Sequence, residues 1–379
     1  MATKKKTTKR TAAKKPAAKK AARKTAEKQT ALEAGPRALV RRRAPLTLVT
    51  GGTGFLGSHL VRELVASGVK NLRVMSTSRP AWLEELGVES VAGSVLSAED
   101  VGRAVEGVGE VYHLAGRVSR EREDAHLMYA LHVEGTRLLC GAAREAGVRS
   151  LVLASTSGTI AVTEDGDARP DEEWPQPLDI ISRWPYYASK AYQERVAVEH
   201  FAGEGRRLVI MNPSLLLGPG DERLSSTRVV LDFISRKILS VPRGGLSFVD
   251  ARDAARAFVR AMSDGRDGER YLLGAANWTF DKFFGRLERL TKVSAPRVAL
   301  PSRLAVAGAR GLSALYKHWK LAPPVEPSEI EMAEHFWYLD STKAERELGF
   351  APRDPSETLH DTVAYVRENF LGASAFGTA

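Results

Sequence analysis

Between residues 46 and 213, short apolar runs alternate with segments of helical period. The runs are LTLVT, NLRVMST, VESVAGS, EVYHLAG, SLVLAST and RLVIMNPS. Several carry adjacent apolar residues instead of an apolar–polar alternation, which is the pattern of a strand buried on both faces. The segments between them include FLGSHLVRELVASG, AEDVGRAVEGV, HVEGTRLLCGAAREAGV and YYASKAYQERVAVEHFAGEG. Gly68 is placed to cap the first of these helices. Strands buried on both faces, with a helix between successive ones, predict an α/β fold built on a doubly wound parallel sheet. Past Pro213 the alternation loosens. We therefore expect a nucleotide-binding domain over 44–212 and a smaller, mainly substrate-binding lobe over 213–371. Residues 246–262 (ending in FVDARDAARAFVRAM) are expected to return to the core, and 372–379 to form a flexible end.

The chain has 379 residues and a formal net charge of +10, unevenly divided. Residues 1–43 hold ten lysines and six arginines against Glu27 and Glu33, a net +14, which leaves −4 for the rest. That segment is mostly Lys, Ala and Thr. It has too little apolar area to offset its ordering entropy and is predicted to be a disordered basic tail. It is similar in composition to the Lys-Ala-Pro tails of linker histones. It suits either a solubilising extension or a salt-sensitive contact with nucleic acid or another anionic surface. A single cysteine, Cys140, excludes an internal disulfide and fits a reducing, cytoplasmic setting. No metal site and no membrane span are expected; a homodimer is compatible with the sequence.

The first apolar run enters a glycine cluster that reads in two registers. Gly52, Gly54 and Gly57 form G-x-G-x-x-G; Gly51, Gly54 and Gly57, with Thr50 in front, form G-x-x-G-x-x-G. A sharp strand-to-helix turn aims backbone N–H groups at a pyrophosphate, and glycine is needed where a side chain would block the approach. No Gly-Lys-Ser/Thr follows, which excludes a nucleoside-triphosphate loop. A turn that holds NAD places an acid at the end of the second strand. Here that position offers Ser76, Thr77, Ser78 and Arg79. Small hydroxyls and a cation suit a 2′-phosphate, so NADP is expected, with NAD as the alternative.

The stretch WPYYASKAYQE places Tyr186 and Lys190 four residues apart on one helical face, with Pro185 in the first turn. An ammonium beside a phenol favours phenolate, so Lys190 is expected to lower the Tyr186 pKa and make it a usable acid/base. The run SLVLAST ends in hydroxyls at a strand C-terminus, where ligands bind in doubly wound sheets.

Taken together, these stretches resemble the extended short-chain dehydrogenase/reductase family, whose fold is the Rossmann sheet. Thr50–Gly57 is similar to its T-G-G-x-G-x-x-G, YHLAG to its H-L-A-A, and Tyr186–Lys190 to its Y-x-x-x-K. NPSLLLGPGD, SFVDARDAARA, GERYLLG and STKAERELGF are similar to later landmarks, and two of them look most like the dihydroflavonol-reductase-like branch. The resemblance covers residues 45–370 and favours the Gly51–Gly54–Gly57 register, leaving Gly52 as an extra small residue. It implies that Tyr186 exchanges a proton with the substrate oxygen, that Lys190 holds the nicotinamide ribose, and that Thr156 polarises the carbonyl, with Ser155 as fallback. It also implies cofactor contacts at Gly51, Gly54, Phe55, Leu56, Gly57, Arg79, Ser94, Val95, Leu114, Ala115, Gly116, Lys190, Pro213 and Ser214. Three positions depart from the pattern. Ser94 stands where an adenine-binding Asp is usual, His132 where Asn is usual, and Gly116 where H-L-A-A ends in Ala. His132 is a candidate for a proton relay or a space-filler.

The implied activity is NAD(P)-dependent reduction of a carbonyl, or the reverse, on a small substrate. One alternative is a sugar-nucleotide epimerase or dehydratase with tightly held NAD, its pyrophosphate clamp drawn from Arg223, Arg228, Arg243 and Arg252. Another is a non-catalytic dinucleotide-binding protein tethered by its tail. Trp174, Ile180, Ile181 and Trp184, in the loop before Tyr186, suggest an apolar pocket wall. The amphipathic segment around Leu304, Val306, Leu312 and Leu315 could cap such a pocket, touch a membrane surface or pack in the core.

Overall fold

The computed structural model describes residues 45–119, 121–297, 302–319 and 327–372. The basic segment 1–43 and residues 373–379 lie outside the described residues, so the expectations for them are not addressed by the structure. The strands are β1 (Leu46–Thr50), β2 (Leu72–Ser76), β3 (Glu89–Ala92), β4 (Val108–His113), β5 (Ser150–Ala154), β6 (Arg207–Pro213), β7 (Leu215–Leu217), β8 (Gly245–Asp250), β9 (Arg270–Leu273), β10 (Ala276–Thr279) and β11 (Phe336–Trp337). Seven of them form one sheet in the order β3-β2-β1-β4-β5-β6-β9, every pair parallel.

Adjacent apolar residues in a strand face opposite sides, and here both sides are covered. Val49, Val74, Val152 and Val209 pack against helix α1 (Phe55–Ala66) through Leu60, Val61 and Leu64. Leu48, Leu151, Leu153 and Ile210 pack on the other face, with α2 (Ala98–Val105), α3 (Gly135–Glu145) and α4 (Pro185–Phe201), through Val101, Leu139 and Phe201. Helix α1 ends as expected. Gly68 has φ +86°, and the N–H groups of Gly68 and Val69 donate to Val65 and Leu64 carbonyls. The pairings Thr50↔Met75 and Thr50↔His113 align the ends of β1, β2 and β4. The chain switches direction across the sheet at β1/β4, and a doubly wound sheet opens its ligand crevice there.

Two elements beyond Pro213 belong to the main sheet and its cover. Helix α5 (Ala251–Asp264) packs beside α1 through Ala254, Ala257 and Phe258, and β9 closes the edge of the main sheet. Of residues 246–262, expected to return to the core, α5 and Val249 do so, whereas strand β8 is the centre of a second sheet, pairing with β7, β10 and β11. Its Leu246 and Phe248 pack with Trp278, Phe283, Phe284 and Leu359 in a separate core. The apolar period of β8 is the same in either sheet, so its partner could not be read from the pattern. In helix Ser302–His318, Ala309 and Ser313 are buried and Leu312 is exposed. Among the described residues no helix is long and apolar enough to cross a membrane, and no group of residues could hold a metal ion.

Candidate active site

The glycine turn is built by three different constraints. Gly51 has φ +71°, and a Cβ there would lie 2.6 Å from Ala115 N and Leu114 C. A Cβ on Gly57 would lie 2.1 Å from the Gly51 carbonyl oxygen. Gly52 is not merely an extra small residue: its Cβ would meet Val74 Cγ1 at 2.8 Å. Gly54 is the least crowded, with one atom, the Gly51 oxygen, at 3.3 Å. It is the N-cap of α1, and no side chain caps that helix. The start of α1, with Phe55 and Leu56, is therefore open to an anion. The Leu114 N–H donates to the Thr50 carbonyl at 3.0 Å and the Ala115 N–H to Thr50 Oγ1 at 3.3 Å. Leu114–Gly116 thus runs along the turn.

At the outer end of the crevice, Ser76 is buried and its hydroxyl donates to the Ser78 carbonyl at 2.5 Å, while Thr77, Ser78 and Arg79 are exposed. Beyond β3, the Ser94 N–H donates to Asp100 Oδ2 at 3.0 Å, and Ser94 Oγ accepts from the Leu96 N–H at 3.2 Å. Val95 is a core residue packed so closely on Gly135 that a Cβ there would lie 2.8 Å from Val95 Cγ2.

Tyr186, Thr156 and Lys190 come together where β5 meets α4. Thr156 follows β5 and caps the 3-10 turn Ser157–Thr159. The Thr156 side chain acts on the Tyr186 phenol and pulls its pKa down. Ser155, the fallback, points elsewhere: its hydroxyl donates to Glu194 at 2.5 Å. Lys190 is buried, and its ammonium donates to the Ala154 carbonyl and to Gln193 Oε1, both at 2.8 Å. One of its three protons remains for a further acceptor. Burial lowers the Lys190 pKa to about 8, against an upward pull from Glu194. The Tyr186 phenol departs from expectation. Burial first, then Tyr187, raises its pKa, and Thr156 opposes them. The sequence predicts lowering by Lys190, but the ammonium turns toward Ala154 and Gln193 instead.

Behind the pair lies a polar chain not foreseen from the sequence. Gln193 Nε2 donates to Thr136 Oγ1 at 2.9 Å, Thr136 Oγ1 bonds His113 Nε2 at 2.9 Å, and His113 Nδ1 bonds Thr50 Oγ1 at 2.7 Å. It connects Lys190 to the residue that precedes the glycine turn. Burial, reinforced by Lys190, lowers the His113 pKa to about 3, so the ring is neutral. The polar ends of β1 and β4, in otherwise apolar strands, were the available signal. His132 has both ring nitrogens engaged, with Ser189 Oγ at 2.8 Å and the Arg117 N–H at 3.2 Å. Neither is free to relay a proton.

At the end of β6, Pro213 and Ser214 are buried, and Ser214 Oγ has no partner. An open helix start, a turn closed to side chains and an orphaned hydroxyl are together suited to a dinucleotide. The expected apolar wall is partly present. Trp184 and Ile181 are buried, but Trp174 is exposed. Trp184 packs with Tyr187 and with Trp337 of the second sheet. Tyr187 lies 5.0 Å from Tyr186 and 4.7 Å from Trp337, ring centre to ring centre. Arg252 is engaged with Asp250 and Asp361 at 2.7 Å, which removes it as a pyrophosphate clamp; Arg223, Arg228 and Arg243 are exposed.

The model of the NAD dependent epimerase/dehydratase family matches residues 47–274. A Methylococcus capsulatus protein named sterol demethylase protein B is 33% identical over 327 residues, covering 85% of this chain and 98% of that protein. A Synechocystis protein provisionally named a dihydroflavonol 4-reductase is 30% identical over 327 residues, covering 85% and 94%. The crystal structure of gox2253 aligns with a TM-score of 0.74 and 28% identity, covering 86% of this chain and 99% of that one. The geometry at β1 and α4 and these likenesses agree: the chain belongs to the NAD dependent epimerase/dehydratase family and is an NAD(P)-dependent oxidoreductase of the extended short-chain dehydrogenase type.

Proposed function

We propose that this enzyme interconverts a carbonyl and an alcohol on an apolar substrate, with NADP as its preferred dinucleotide. The observation that carries the reading is the buried Lys190 ammonium, which keeps one proton unmatched one helical turn from Tyr186, at the end of the strand that leads into Thr156. Thr156 also acts on the Tyr186 phenol, which supports both hydroxyls reaching one substrate oxygen. Bound dinucleotide supplies or accepts the hydride. The Thr156 hydroxyl hydrogen-bonds the substrate oxygen as negative charge develops on it, and Tyr186 Oη gives that oxygen its proton. Burial holds the phenol in its protonated form, which is the form reduction needs. Lys190 holds the ribose with its remaining proton. Gly51, Gly54, Phe55, Leu56 and Gly57 hold the pyrophosphate, and Ser214 and Pro213 bound the nicotinamide.

The rings of Tyr187, Trp184 and Trp337 beside Tyr186 support an apolar substrate, as do the names of the Methylococcus and Synechocystis relatives. The absence of an acid across Ser76–Arg79 supports NADP. Fluorescence titration with NADPH and NADH, followed by a panel of apolar carbonyls, tests the reading. NADPH should bind more tightly and be oxidised, and Tyr186→Phe should abolish turnover while binding persists. Protein purified with bound NAD that consumes no NADPH with any carbonyl would favour the epimerase reading instead.

A further inference from the structure

Gly116 and His132, two departures from the family pattern, meet in space. His132 is fully buried in a π-helical turn, Ala130–Glu134, immediately before α3. A π-turn adds a residue to the helical repeat and re-aims the side chains around it, and such turns recur at functional sites. Here the imidazole reaches the corner between the end of β4 and the start of α4. Nε2 accepts the Arg117 N–H at 3.2 Å, so the ring proton sits on Nδ1 and is donated to Ser189 Oγ at 2.8 Å. Ser189 Oγ donates in turn to the Tyr186 carbonyl at 2.8 Å. The ring stands edge-on to that of Tyr186, with centres 5.9 Å apart. A Cβ on Gly116 would lie 2.7 Å from His132 Nε2 and 3.0 Å from its Cδ2. The ring cannot easily retreat, because it is buried and bonded at both nitrogens.

We propose that His132 is a positioning residue that clamps the loop after β4 to the first turn of α4, and that Gly116 is the space the clamp requires. This rests on the reading that Tyr186 and Lys190 carry the chemistry, because the clamp holds their turn against the dinucleotide-binding loop Leu114–Gly116. A misplacement of about 1 Å between such parts costs on the order of 100-fold in rate. The geometry also makes the two departures one. A shorter side chain at 132 leaves room for a methyl group at 116, so the residue at 132 decides whether Ala is tolerated at 116.

The test is a cycle of the full chain with Gly116→Ala, His132→Asn and both together, joined by His132→Phe. Thermal unfolding and fluorescence titration with NADPH and NADH are the readouts. Gly116→Ala alone should lower the unfolding midpoint and weaken dinucleotide binding about tenfold, the equivalent of about 1.4 kcal/mol. In the His132→Asn background the same change should be neutral or restorative. Equal effects of Gly116→Ala in both backgrounds would overturn the coupling. His132→Phe fills the space without the hydrogen bonds, so it should keep the midpoint within a few degrees while weakening binding about tenfold. Binding that falls only in step with the midpoint would make His132 merely structural. A wild-type chain that binds neither dinucleotide would defeat the proposed function, yet the unfolding cycle would still decide whether His132 and Gly116 are coupled.

Discussion

Lys190 and Glu194 are buried charges one turn apart on α4, and they are treated in opposite ways. The Lys190 ammonium faces two neutral acceptors, Ala154 O and Gln193 Oε1, with one proton to spare. The Glu194 carboxylate is saturated. Ser155, Thr159, Asn212 and Gln176 all donate to it, and Arg270 lies 3.2 Å away. Those partners come from the end of β5, the loop after it, β6, β9 and the loop before α4, so the carboxylate knots the sheet edge to the helix. A buried charge that keeps a donor unmatched is placed to meet a ligand, whereas one surrounded by partners holds the scaffold.

Replacing each residue shows whether that contrast holds. Glu194→Ala takes their carboxylate from Arg270, Ser155 and Gln176, while Thr159 and Asn212 keep the Thr156 carbonyl, and should cost about 3–5 kcal/mol in urea unfolding; a small loss would erase the distinction. Lys190→Met should lower turnover by about 100-fold or more yet unfold no more easily than the parent at neutral pH, because it removes a buried charge. A destabilisation equal to that of Glu194→Ala would place Lys190 with the scaffold.

The pH dependence sharpens the same point. Burial lowers the Lys190 pKa from its ordinary 10.5 to about 8. Below about 8 both folded and unfolded chains hold this proton, and the cost of burying it is fully present. Between about 8 and 10.5 the unfolded chain binds more protons, so the parent gains stability as pH rises. The advantage of Lys190→Met should therefore shrink across that window, as measured by urea melts at stepped pH. An advantage constant with pH would mean that the ammonium is not buried at a cost. The smallest effects separate the neighbouring hydroxyls. Ser155→Ala should cost about 1 kcal/mol of stability and spare turnover, while Thr156→Ala should lose a similar amount with its cap and impair turnover as well.

What could be read from the sequence follows from how local each feature is. Five of the first six strands show in their adjacent apolar residues, because both faces of the sheet are covered there; β3, at the edge, has no buried residue. Tyr186 and Lys190 show because one turn of helix fixes their relation. The partner of β8 did not show, since a buried strand looks alike in either sheet. Nor did the need for Gly52, which comes from Val74 on the neighbouring strand. The chain Gln193–Thr136–His113–Thr50 draws on four elements, and its spacing in sequence carries no signature. The Tyr186 phenol was misjudged for a related reason: the direction of the Lys190 ammonium is set by Ala154 and Gln193, and a spacing of four residues says nothing about either.

Cys140, the chain's one cysteine, lies fully buried in α3, where burial pushes its thiol up to about 12. The native thiol is thus shielded from electrophiles as well as uncharged at ordinary pH. A cysteine introduced on the surface would be the single site open to a maleimide dye. The chain is in effect already a cysteine-light background, and fluorophores could be attached one at a time to report whether the second sheet moves when a dinucleotide is added.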